Sequence, residues 1–155
     1  MATITSLKRI QPTALSKMLL SPDHDPTKIA IIDVRDDDYI GGHIKNAQNF
    51  PSRTLDATLP SLIRQLEDKP TVIFHCALSQ QRGPSAALRY IRERDRLRAN
   101  KSQKQTSSEE DQEEKVEQTV YVLDRGFVGW QESYGTDDRL TEGYRKELWE
   151  DGYWM

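Results

Sequence analysis

Residues Val72 to Ala87 read VIFHCALSQQRGPSAA, and this stretch decides the fold. The run TVIF from Thr71 to Phe74 is apolar and bounded by turn signals, which predicts a buried strand. A helical pattern follows from Gly83, backed by Pro84, to about Ala99. Between strand and helix stand His75 and Cys76, the only cysteine of the chain, with five residues separating it from Arg82. That order places a thiol at a helix N-terminus, where free amides and the helix dipole favour an anion. The same field and the nearby Arg82 predict a lowered thiol pKa for Cys76 and a competent nucleophile. Ala77, Leu78, Ser79, Gln80 and Gln81 supply successive N–H groups, and Arg82 supplies a fork of two parallel donors, so a tetrahedral oxyanion fits the loop. Phosphate and arsenate both have that shape. His75 reads as a supporting residue that positions the loop through a ring hydrogen bond, or as a buried histidine with its bonds satisfied. A lone cysteine is more often a small buried hydrophobe. The strand–Cys–five–Arg–helix arrangement argues against that here.

Working outward, Ile29 to Val34 (IAIIDV) and Val120 to Leu123 are two further strand candidates. Pro12 to Leu20 and Leu59 to Leu66 are helix candidates, and Pro22 to Pro26 is a loop. Strands alternating with helices predict an α/β domain with a mainly parallel central sheet flanked by helices. From Leu97 to Thr119 the chain runs LRANKSQKQTSSEEDQEEKVEQT, almost without apolar residues. This span reads as a disordered insertion, residues 97–119, because burial there does not offset ordering entropy. The segment beyond it, TVYVLDRGFVGW, is too short to fold separately, so residues 1–155 read as a single domain.

Composition narrows the function classes. The net charge of −3 gives no general attraction to nucleic acid or anionic lipid. No apolar run approaches the roughly 20 residues that cross a bilayer, and the N-terminus lacks a signal-peptide core. A protein of the cytoplasm, and of the nucleus as well, is expected. One cysteine and three histidines exclude an internal disulfide and argue against a structural metal.

At this point the chain resembles the rhodanese-fold phosphatases, the class that holds the cell-division-cycle dual-specificity phosphatases and the eukaryotic arsenate reductases. Four segments carry the resemblance: IIDVRDDDYIGGHIKNAQNFP from Ile31, VIFHCALSQQRGPSAA from Val72, YVLDRGFVGWQESYG from Tyr121, and LTEGYRKELW near the end. The second is the specific one and is similar to the loop of small single-domain fungal and plant members. The resemblance implies a rhodanese-like domain, with Cys76 and Arg82 catalytic. It also implies that Asp33, Arg35, Gly42, His43 and Ile44 support the scaffold around the loop. Sulfur-transferring members of the fold resemble one another in a loop one residue shorter, so the five-residue spacing favours phosphorus or arsenic over thiosulfate chemistry.

Two departures bear on mechanism. The cell-cycle enzymes carry acidic residues where this loop has Ala77 and Gln81, and Gly83 replaces a hydroxyl residue frequent after the arginine. No loop carboxylate is therefore present to protonate a leaving group, and Asp36, Asp37, Asp38 and Asp124 are the outside candidates. The expected activity is phosphomonoester hydrolysis, on phosphotyrosine or with dual specificity, through a thiophosphate on Cys76. The alternative is arsenate reduction, which needs a second thiol. With no second cysteine in the chain, that thiol is external, such as glutathione with glutaredoxin as partner. A non-catalytic module binding phosphorylated partners is the third reading. No resident cofactor is expected.

The basic stretch from Arg89 through Arg92, Arg94, Arg96 and Arg98 to Lys101 and Lys104 reads as a solvated helix face or an attractor of phosphorylated substrate. Ser107 and Ser108 before Glu109, Glu110 and Asp111 form an acidophilic-kinase pattern. Phe127, Trp130 and Tyr134 read as one aromatic helix face on the sheet, and Tyr144 to Trp154 as a docking segment whose Trp149, Tyr153 and Trp154 either cover the sheet or contact a partner.

Overall fold

The computed structural model describes residues 7–104 and 118–150. Five strands form one parallel sheet in the order β1-β6-β5-β2-β4: β1 (Lys8–Ile10), β2 (Ile29–Asp33), β4 (Gln48–Asn49), β5 (Thr71–His75) and β6 (Thr119–Leu123). A separate antiparallel pair joins β3 (His43–Ile44) to β7 (Thr141–Glu142). The helices are α1 (Pro12–Leu20), α2 (Leu55–Gln65), α3 (Arg82–Lys104), α4 (Gly126–Tyr134) and α5 (Lys146–Glu150).

Side chains alternate across a strand, and the central strands divide their residues between two apolar layers on that rule. Ala30, Ile32, Val72, Phe74, Val120 and Val122 face the layer built with Leu55, Leu59, Leu62, Ala86 and Tyr90 of α2 and α3. Ile31, Ile73 and Leu123 face the other layer with Leu15, Phe127 and Trp130 of α1 and α4. Burial on both faces explains why these strands read as continuous apolar runs.

Several boundaries differ from the sequence reading. Helix α2 starts a turn before Leu59, because Leu55, Leu59 and Leu62 share one buried face and carry the helix back to Leu55. Helix α3 starts at Arg82, one residue before Gly83, and runs to Lys104, past Leu97, which packs on the core. The insertion therefore does not begin at Leu97. Its far end differs too: Gln118 donates to the carbonyls of Leu66 and Lys69 at 2.8 Å each and accepts from Tyr90 and Arg94. One amide side chain thus locks the entry to β6. Ser107, Ser108, the acidic run and the terminal Tyr153 and Trp154 lie outside the described residues. Among the described residues no helix is long and apolar enough to cross a membrane.

The fold buries two opposite charges at the C-terminal edge of β2. Asp33 and Arg35 are fully buried, with Arg35 Nε and Nη2 donating to the Asp33 carboxylate at 2.7–3.0 Å. Arg35 also donates to Gly42 O at 2.9 Å, and its guanidinium lies 4.5 Å from the Phe127 ring centroid and 5.0 Å from that of Tyr39. An Asp33→Asn substitution leaves the Arg35 charge without its counterion. In urea denaturation it is expected to cost about 3–5 kcal/mol, and replacing both residues by apolar ones is expected to recover part of that loss.

Candidate active site

The loop between β5 and α3 closes on the sulfur of Cys76. Ser79 N–H and Gly83 N–H donate to Sγ at 3.2 and 3.4 Å, and the Cys76 N–H reaches Ser79 Oγ at 3.4 Å. Ser79 takes a positive φ of 55° and is fully buried, so its side chain fills the loop from inside. Arg9 Nη2 holds the Ser79 carbonyl at 2.9 Å from outside. Cys76 is only 3% exposed, at the floor of the loop, whereas Leu78 at the rim is 40% exposed. The N–H groups of Ala77, Leu78, Gln80 and Gln81 have no acceptor among the described residues. These are the donors an oxyanion would use.

The carbonyl side of the loop is tied down by α4. Phe127 N–H donates to Cys76 O at 3.0 Å and Val128 N–H to Ala77 O at 2.9 Å, so otherwise unpaired first-turn amides of one helix are spent on the loop backbone. The approach is close enough to exclude a side chain: a Cβ on Gly126, at φ +56°, would stand 2.5 Å from both carbonyl oxygens. Gly83 faces a similar limit, its Cβ falling 3.2 Å from His75 Cα and 3.3 Å from Cys76 N. A side chain at position 83 would require those backbone atoms to give by a few tenths of an ångström.

His75 is fully buried, pairs in register with Asp33, and hydrogen-bonds through Nδ1 to Cys76 O at 3.0 Å. A carbonyl only accepts, so Nδ1 carries the proton. Nε2 is left without a hydrogen-bond partner, 3.8 Å from Asp33 Oδ2. Burial pushes the imidazole below its ordinary value of 6.5, against the opposing pull of Asp33. The ring is thus a neutral support.

Arg82 does not stand free beside the thiol. Its Nη1 and Nη2 donate to the two Asp38 oxygens at 2.8 and 2.6 Å, and Nη1 also reaches Asp36 Oδ2 at 3.3 Å. Asp36 in turn accepts from Ser52 Oγ at 2.6 Å and Arg53 N at 3.1 Å, and Asp38 accepts from Asp36 N at 2.9 Å. The bond to Arg82 holds Asp38 below the usual carboxylate range. For Asp36, burial acts upward but the bonds from Ser52, Arg53 and Arg82 outweigh it, and its pKa is lowered as well. Two of the four acid candidates are therefore held ionised, which suits them to grip a cation and not to donate a proton. Asp37 pairs with Arg53 on the surface, and Asp124 pairs with Arg9 and Gln11.

Sequence reasoning offered Asp36 and Asp38 as proton donors and missed their link to Arg82. A signal for it exists: β2 and β5 are adjacent parallel strands, so the residues after Asp33 and after His75 emerge side by side at the same sheet edge. The supporting residues fall into one cluster. Gly42, at φ +116°, presents its carbonyl to Arg35, His43 stacks on Tyr39 at 5.8 Å, and Ile44 is buried. Of the basic stretch, Arg89 lines an open cleft of about 260 Å³ with Ser52, Leu55, Gln81, Arg82, Ser85 and Ala86, and pairs with Asp56. Arg96 pairs with Glu93.

A cysteine at the C-terminal end of a central parallel strand, in a loop that leads to an arginine on the next helix, is the site this α/β domain presents. Residues 11–133 match the model of the rhodanese-like domain, and the chain belongs to that family. It is 38% identical over 142 residues to the dual specificity phosphatase ibp1 of Schizosaccharomyces pombe, covering 90% of this chain and 99% of the relative. It is also 38% identical over 136 residues to arsenate reductase 2.1 of Oryza sativa subsp. japonica, covering 87% and 76%. The solved structure of Ygr203w, a yeast protein tyrosine phosphatase of the rhodanese family, superimposes with a TM-score of 0.72 at 33% identity, covering 95% and 99%.

Two outcomes follow from this packing. Gly126→Ala is expected to lose more than ~1–2 kcal/mol in urea denaturation, the cost of a left-handed non-glycine residue, because the carbonyl clash adds to it. The His75 term is read from pH. The unfolded imidazole takes a proton near 6.5 and the buried one resists it. Stability is therefore full above that pH and falls below it, with a slope of at most ~1.4 kcal/mol per pH unit until the folded ring also protonates. In His75→Asn the difference in denaturation midpoint between pH 7 and pH 5 is expected to shrink.

Proposed function

We propose that the protein is a cysteine-based phosphatase of phosphomonoesters, with Cys76 as nucleophile and Arg82 and the loop amides as the oxyanion grip. The observation that carries this reading is the loop itself, which directs two N–H donors at Sγ and leaves four further N–H groups without acceptors among the described residues. Sγ attacks phosphorus, the S–P bond forms as the ester P–O bond breaks, and the leaving oxygen departs with its electron pair. Water then attacks phosphorus, releasing phosphate and regenerating the thiolate. The phosphatase relative and the solved tyrosine phosphatase support this chemistry, and phosphorylated proteins or small phosphoesters are the substrates.

A second reading rests on the arsenate reductase relative, and the lone cysteine makes it depend on an external thiol. Sγ displaces a hydroxyl from arsenic(V) to give an S–As bond. An external thiol such as glutathione then attacks Sγ, the S–As electron pair stays on arsenic, and arsenite leaves. Arsenic gains two electrons while two thiols become a mixed disulfide, which a second external thiol, with glutaredoxin, must reduce.

The test offers p-nitrophenyl phosphate and a phosphotyrosine peptide, then arsenate with glutathione and glutaredoxin. Cys76→Ser is expected to abolish phosphate release, a fall of roughly 1000-fold or more. Release that persists in Cys76→Ser would remove the nucleophile, and arsenite formation without phosphate release would put the second reading first.

A further inference from the structure

Resting on the reading that Arg82 grips the oxyanion, we propose that Asp38, with Asp36 behind it, is the positioning residue of that grip, presenting one edge of the guanidinium to the substrate. A guanidinium has five N–H donors in a rigid plane. Asp38 takes one from Nη1 and one from Nη2, the end of the fork, and Asp36 takes the other from Nη1. The two that remain, on Nε and Nη2, lie side by side along the other edge and have no acceptor among the described residues. That edge is the pair of parallel donors that fits two oxygens of a tetrahedral anion.

The acids are held as tightly as the arginine. Ser52, the Arg53 amide and the Asp36 amide hold the two carboxylates independently of Arg82. Their turn is anchored at its start by buried Arg35 and at its end by Gly41, whose carbonyl accepts from Trp149 Nε1 at 2.9 Å and Arg145 N at 3.2 Å. Arg82 also lines the open cleft, and neither aspartate does. A socket built this way gives the oxyanion a guanidinium already placed, so binding spends less on ordering a long side chain.

The test uses the full chain, with orthophosphate as inhibitor of p-nitrophenyl phosphate turnover and arginine side-chain ¹⁵N NMR as the spectroscopic readout. In wild type, phosphate is expected to shift the Arg82 Nε–H resonance while rotation of its Nη groups stays slow. Asp38→Asn is expected to raise the phosphate inhibition constant and KM about tenfold, with a smaller change in kcat, and Asp38→Glu to restore part of the loss. Equal or tighter phosphate binding in Asp38→Asn, or Nη groups freed on phosphate binding, would overturn the proposal and make Asp38 a competitor of the substrate. The reading beneath it fails separately: phosphate inhibition unchanged in Arg82→Lys would show that Arg82 does not hold the oxyanion.

Discussion

The buried pair of Asp33 and Arg35 is the constraint on which the rest of the site depends. Arg35 touches both walls of the cradle. On one side its guanidinium faces Phe127, whose N–H holds Cys76 O; on the other it fixes Gly42 O and so shapes the turn that carries Asp36 and Asp38. Asp33 pairs in register with His75, whose ring bonds to the same Cys76 carbonyl. A buried ion pair contributes little net stability against an apolar pair of equal volume. What it supplies is geometry, since no apolar side chain directs a neighbouring carbonyl and a ring at once.

Much of this was legible in the sequence, and the reason is periodicity. Strands of five residues buried on both faces write apolar runs, and the Cys76 loop writes its own spacing. The two-residue strands β3, β4 and β7 write nothing, because two residues carry no period and their pairing comes from chain segments as far apart as His43 and Glu142. Gln118 was unreadable for another reason. It ends a polar stretch and looks solvated, yet its amide meets four partners, Tyr90 and Arg94 of α3 and Leu66 and Lys69 of the segment between α2 and β5.

Arg82 shows the same limit inside the site. Its place after Cys76 was read from spacing, whereas its bonds to Asp36 and Asp38 join residues 46 and 44 positions apart. Only the order of strands in the sheet, with β2 beside β5, brings them together. The acidic triplet therefore looked like a source of protons, while the fold uses two of its members as ionised ligands of a cation.

That use has a chemical consequence. With Asp36 and Asp38 committed to Arg82 and no carboxylate in the loop, no described group is placed to protonate a departing alkoxide. Hydrolysis of an alkyl phosphomonoester then carries the full cost of expelling a basic oxygen, a step that general acids typically speed by ~100-fold or more. An aryl ester escapes most of that cost, because a phenolate is a far weaker base. Arsenate does not escape it by the same route: the hydroxyl it loses is as basic as an alkoxide unless it departs as water, so that displacement also needs a proton. Phosphate and arsenate share the tetrahedral shape, so shape alone does not discriminate between phosphorus and arsenic substrates, and the arsenic route differs in its demand for an external thiol.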